Sequence, residues 1–162
     1  MSTNRTAIAE KMAELLKSAL DGSHTDRYYT NIYGNVSTKV LHFDQIRDFP
    51  FISIVKSAES PEYQPGGFRW NFLDLYVRIY VQGEDNYDQQ LEELISDIKT
   101  FIDTTENFEY TITKPDGSSQ TKKITEVNWV LIGTDEGLLA PQAMGEIRLR
   151  VRYDDICAMN LY

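Results

Sequence analysis

The side chains that could carry acid–base, nucleophilic or metal chemistry in this 162-residue sequence are His24 and His42, Cys157, and the acidic pairs Glu84/Asp85, Asp135/Glu136 and Asp154/Asp155. The two histidines are far apart and show no ligand spacing such as HExxH. A surface histidine is the commoner outcome for each. Cys157 is the only cysteine, so no intrachain disulfide and no cysteine zinc cluster can form, and a reducing compartment is expected. It has no sequence neighbour to activate it as a nucleophile. Gly66-Gly67 lacks the helix and lysine of a phosphate loop, and no Gly-x-Ser-x-Gly elbow occurs. Each acidic pair could take a divalent cation at an exposed edge, but a solvated turn is the simpler reading. The sequence thus offers no catalytic, cofactor-binding or metal-ligating residues, and no enzyme is expected. A small enzyme or ligand-binding α+β domain using His24, His42 or the acidic loops is the alternative of another class.

Charge narrows the partners. Twenty-five acidic against 16 basic residues give a formal charge of -9, which disfavours a nucleic-acid binder. The basic residues are dispersed, and Lys122-Lys123 is too short to form a patch. An acidic surface suits a passage through which DNA slides without sticking, although solubility explains it equally well. With 41% apolar and 25% charged residues, the chain suits one domain spanning residues 1–162. The apolar positions from Ile8 to Leu20 are interrupted by Glu10, Lys11, Glu14 and Lys17, so neither a signal peptide nor a membrane span is expected.

The elements that would position these residues follow from periodicity. Ile8, Met12, Leu15, Leu16, Ala19 and Leu20 recur at helical spacing, predicting an amphipathic helix over 5–20 that Thr3 or Asn4 caps and Gly22 closes. Residues 21–34 read as a long surface loop. Strands are expected over 36–43 and 51–55, with a turn at 44–47. Residues 58–68, with Pro61, Pro65, Gly66 and Gly67, read as a loop forming a long hairpin arm. Asn86 and Gln89 resemble a capping box opening a second helix over 87–104. Its apolar stripe runs through Leu91, Leu94, Ile95, Ile98, Phe101 and Ile102, with Glu92, Glu93, Asp97 and Lys99 on the wet side. Residues 108–113 and 121–130 should pair as a hairpin across a Pro-Asp-Gly turn. Because Val127, Trp129 and Leu131 alternate with Val130 and Ile132, that second strand reads as central.

Two strands alternate most cleanly. In residues 69–81, Leu73, Leu75, Val77, Ile79 and Val81 form an aliphatic face, a seat for the second helix. The other face carries Trp70, Phe72, Tyr76 and Tyr80, which either pair with aromatics within the sheet or are covered by another chain. In residues 145–153, Glu146, Arg148, Arg150 and Arg152 share one face, a stripe that needs carboxylates on a neighbouring strand or a neighbouring subunit. Between these strands, Leu138 and Leu139 lie in a loop over 134–143, where apolar side chains call for something to pack on. Residues 154–162 form a tail that docks or hangs loose. The fold class is α+β: an antiparallel or mixed sheet flanked by two amphipathic helices, with a long β-hairpin.

This order resembles the tail-terminator proteins of long-tailed, siphovirus-type bacteriophages, a family of minor tail proteins. The residues that carry the resemblance are Asp48-Phe49-Pro50-Phe51, the Leu-x-Leu-x-Val-x-Ile strand, the helix over 87–104, and Thr134-Asp135-Glu136-Gly137-Leu138-Leu139-Ala140-Pro141 leading into 148–153. It covers about residues 6–153 and leaves the tail from Asp154 unmatched. The resemblance implies a homohexameric ring at the head-proximal end of the tail, assembled in the host cytoplasm. That ring would cap the tail tube protein, end tube growth and present its other surface to a neck or head-completion protein, while DNA passes through its lumen. A neck or head-closure role is the neighbouring alternative. On this reading Trp70, Phe72, Tyr76, Tyr80, Leu138, Leu139, Arg148, Arg150 and Arg152 are expected at subunit interfaces.

Overall fold

The computed structural model describes residues 2–83, 85–105 and 107–156. The aliphatic positions of the two alternating strands meet on one side of a five-stranded sheet, and the helices lie against them. In chain order the elements are α1 (Asn4–Ala19), β1 (Val36–Ser37), a 3-10 turn (Phe43–Gln45), β2 (Phe51–Gln64), β3 (Phe68–Gln82), α2 (Tyr87–Thr104), β4 (Glu109–Thr113), β5 (Ser119–Lys123), β6 (Glu126–Thr134) and β7 (Gln142–Ile156). The sheet order is β1-β2-β3-β7-β6, with β1 parallel to β2 and the remaining pairs antiparallel. β4 and β5 form a separate hairpin. The α+β class, the two helices and the long hairpin arm are as expected.

Leu73, Leu75, Val77, Ile79 and Val81 of β3 and Ile147, Leu149 and Val151 of β7 are all buried. α2 sits over β3, β7 and β6 through Leu91, Leu94, Ile95, Ile98, Phe101 and Ile102, as the aliphatic face required. Each such side chain taken fully from water contributes roughly 1.5–3 kcal/mol before ordering costs. α1, capped by the Thr3 hydroxyl, covers the β2 side with Ile8, Met12 and Leu16.

Several expectations are corrected. Residues 58–68 are mostly strand: β2 and β3 continue into the arm and turn only around Gly66 and Gly67, whose φ of +85° and +83° no β-carbon tolerates well. β1 is two residues long rather than a strand over 36–43. Asn86 makes no side-chain cap, and Gln89 bonds Glu93 instead. Asp97 is buried rather than wet, because the segment 21–34 is not wholly a surface loop. Tyr28 and Ile32 are buried there, and the Asp97 carboxylate accepts hydrogen bonds from the Tyr29 N–H (2.9 Å), the Thr30 N–H (2.9 Å) and the Thr30 hydroxyl (2.5 Å). The second strand of the small hairpin stops at Lys123. Residues 126–134 join the large sheet as its edge, not its centre, and leave Trp129, Val130 and Leu131 exposed.

A polar cluster ties β4–β5 to the base of the arm. Asp155 accepts from Arg69 at 2.8 Å, Lys122 at 2.6 Å and Asn71 at 3.1 Å. Burial works to raise its carboxyl, but the hydrogen bonds from Lys122 and Arg69 outweigh it and hold the group below the ordinary carboxylate value. Tyr153 donates to Glu59 and Tyr110 to Asn4, each at 3.0 Å. Burial, then neighbouring carboxylates, push both phenols well up.

Candidate functional site

The second face of the sheet carries neither helix. Antiparallel pairing sets β3 residues directly opposite β7 residues on it: Trp70 against Asp154, Phe72 against Arg152, Asp74 against Arg150, Tyr76 against Arg148 and Arg78 against Glu146. The arginine stripe is therefore interleaved with aromatics and acids of its own chain. Arg150 meets Asp74 at 3.2 Å, Arg78 meets Glu146 at 3.0 Å, and Arg152 meets Asp154 at 3.0 Å while stacking on Trp70. Like-charge repulsion along β7 is offset by these partners.

Arg148 differs. Its guanidinium carbon lies 4.9 Å from the Tyr76 ring centroid, yet it has no carboxylate partner among the described residues, and its Nε is buried without an acceptor. Next to it, the pairing of β6 with β7 shifts between Trp129 and Leu131, placing Leu131 opposite Arg148 on the open face at 56% exposure. Sequence reasoning missed Leu131, because a bulge interrupts the period-two pattern that would have located it. Asp74 was visible as the single acid on the even face of residues 69–81, but the Arg150 pairing depends on register.

The remaining expected positions separate. Tyr80 is buried: Phe43 meets its ring edge-on at 5.2 Å and Phe51 packs at 6.4 Å, so it belongs to the packing of its own chain rather than to the open face. Leu138, at 86% exposure, and Leu139 lie on the 135–141 loop at the end of β6 and β7. The structure thus gathers Trp70, Phe72, Tyr76, Arg148, Arg150 and Arg152 on one face and sets the two leucines on a loop at its end.

Among the described residues the other chemistry-bearing candidates do not come together. His24 lines a shallow hollow with Leu15, Arg27, Tyr28 and Phe101, whereas His42 opens the 3-10 turn. Asp135 is spent on backbone N–H groups, and Asp154 and Asp155 on basic side chains. Among the described residues no group of acidic, histidine or cysteine side chains could hold a metal, and no helix is long and apolar enough to cross a membrane. Cys157, Leu161 and Tyr162 lie outside the described residues, as does Glu84.

Fold and face define an α+β sheet protein with one side sealed by helices and the other left as a mosaic of rings and charges. Comparison with known proteins makes this particular: residues 2–160 match the family described as Bacteriophage Tail Tube Terminator Protein, and the chain belongs to that family. It is similar to the tail tube terminator protein p142 of Escherichia phage T5, with 42% identity over 150 residues that cover 93% of each chain. It also shares its fold with a chain in a solved structure described as the virion of a native gene transfer agent particle. That match has a TM-score of 0.50 and 10% identity, and covers 94% of this chain and 100% of the other.

Proposed function

We propose that the protein assembles as a ring, with six copies the expected number, on the finished end of a phage tail tube. There it blocks further addition of tube subunits and presents its opposite surface to the protein that completes the head or neck. The observation that carries this reading is the open sheet face. It sets Trp70, Phe72 and Tyr76 among ion-paired arginines and acids, a composition suited to a desolvated protein contact. Family membership supplies the tail tube as partner. The charge of -9 suits a lumen through which DNA passes without binding. The role is structural, located in the virion tail, and requires no catalytic chemistry of the chain.

Deletion of the gene tests this reading directly. Overlong tails measured by electron microscopy, restored to one length by complementation, are the expected result. Tails of normal length beside unattached heads would overturn it in favour of head closure.

A further inference from the structure

We propose that the 135–141 loop of one copy seats on the Arg148–Tyr76–Leu131 patch of the next, Glu136 closing on the arginine and Leu138 on the apolar rim; this rests on the ring reading above. Arg150 and Arg152 have carboxylates within their own chain, while Arg148 has none among the described residues and keeps a buried, unpaired Nε. A half-buried guanidinium with no anion beside it is costly, and a carboxylate arriving from outside would pair with the part of it that stays accessible. Leu131 and Tyr76 flank it, so a docked carboxylate would be partly shielded from water, where its attraction to the guanidinium strengthens.

The loop has the matching shape and charge. The Asp135 carboxylate accepts from the Leu139 N–H at 3.0 Å and the Met144 N–H at 3.1 Å, and its own N–H donates to the Met144 carbonyl at 3.0 Å. Glu136 and Gly137 complete the turn at φ of +56° and +82°. These bonds fix the loop while Leu138 projects into solvent, so docking orders little that is not already ordered. Glu136 has no ion pair among the described residues. An unpaired cation and an unpaired anion, each beside a bare leucine, lie on different surfaces of the same chain. Two distinct surfaces that fit each other make a head-to-tail contact, the kind that closes into a ring.

Charge reversal tests the pairing. Arg148→Glu and Glu136→Arg should each convert rings, sized by light scattering and negative-stain microscopy, into an 18.7 kDa monomer with unchanged helical signal. The double variant should restore the ring. Wild-type rings from either single variant, or no recovery in the double, overturns the contact. If Arg148→Glu fails to fold, Arg148→Gln combined with Leu138→Ser carries the test: loss of rings is expected, and wild-type rings overturn the contact. Wild-type protein that forms no ring, free or on tube ends, strikes the ring reading itself. Wild-type rings that survive both substitutions strike only this contact.

Discussion

The guanidinium carbon of Arg152 lies 3.8 Å from the centroid of the Trp70 ring, while its Nε and an Nη hydrogen-bond the Asp154 carboxylate at 3.0 and 3.2 Å. One side chain thus satisfies a ring on β3 and an acid on β7, and the two strands are joined across the open face by side chains as well as backbone.

Trp70→Ala removes the ring from that arrangement. Cation–π contacts at partly exposed sites are worth about 0.5–1 kcal/mol, so the monomer should stay folded with a loss of about 1 kcal/mol in urea unfolding. Assembly should weaken more than stability does. A chain that unfolds outright would make Trp70 part of the core and take it off the proposed contact face.

Asp97→Ala leaves the Tyr29 and Thr30 N–H groups and the Thr30 hydroxyl without their acceptor. Hydrogen bonds to a charged group contribute about 1.5–3 kcal/mol each and are not additive, so a loss of about 3 kcal/mol is expected. Amide exchange at Tyr29 and Thr30 should accelerate before exchange in β3 does. Unchanged protection there would show that the loop is held by Tyr28 and Ile32 alone.

Asp155→Asn should alter acid stability in a defined direction. The carboxyl of Asp155 is held below its unfolded value, so its contribution is present above about pH 4 and is lost as pH falls through the lower folded value. The wild type should be the more stable protein at pH 7, and the gap between the two should narrow below about pH 4. A gap independent of pH would assign the effect to lost packing.

Period-two and helical patterns revealed the elements whose partners are regular. β3, β7 and α2 were legible because their buried sides repeat, and Leu73 to Val81 pointed to the seat of α2. Where the partner is irregular, the pattern misled. Tyr80 alternates with the open-face rings, yet a non-repeating segment around Phe43 folds over it. Asp97 lies among charged positions of its helix, but its partners are backbone groups of a loop distant in sequence. In β6, apolar residues on both sides read as a central strand, although they mark an edge with a register shift. The candidate face was visible as two separate stripes. Their interleaving, with Arg148 as the unmatched member, depends on the register of β3 against β7.

That shift after Trp129 bears on what a crowd of these molecules can do. A foreign strand laid along β6 would be in step on one side of Val130 and out of step on the other, so the edge is a poor template for main-chain pairing. Fibrils built by main-chain pairing along β6 are thereby disfavoured, even at high concentration.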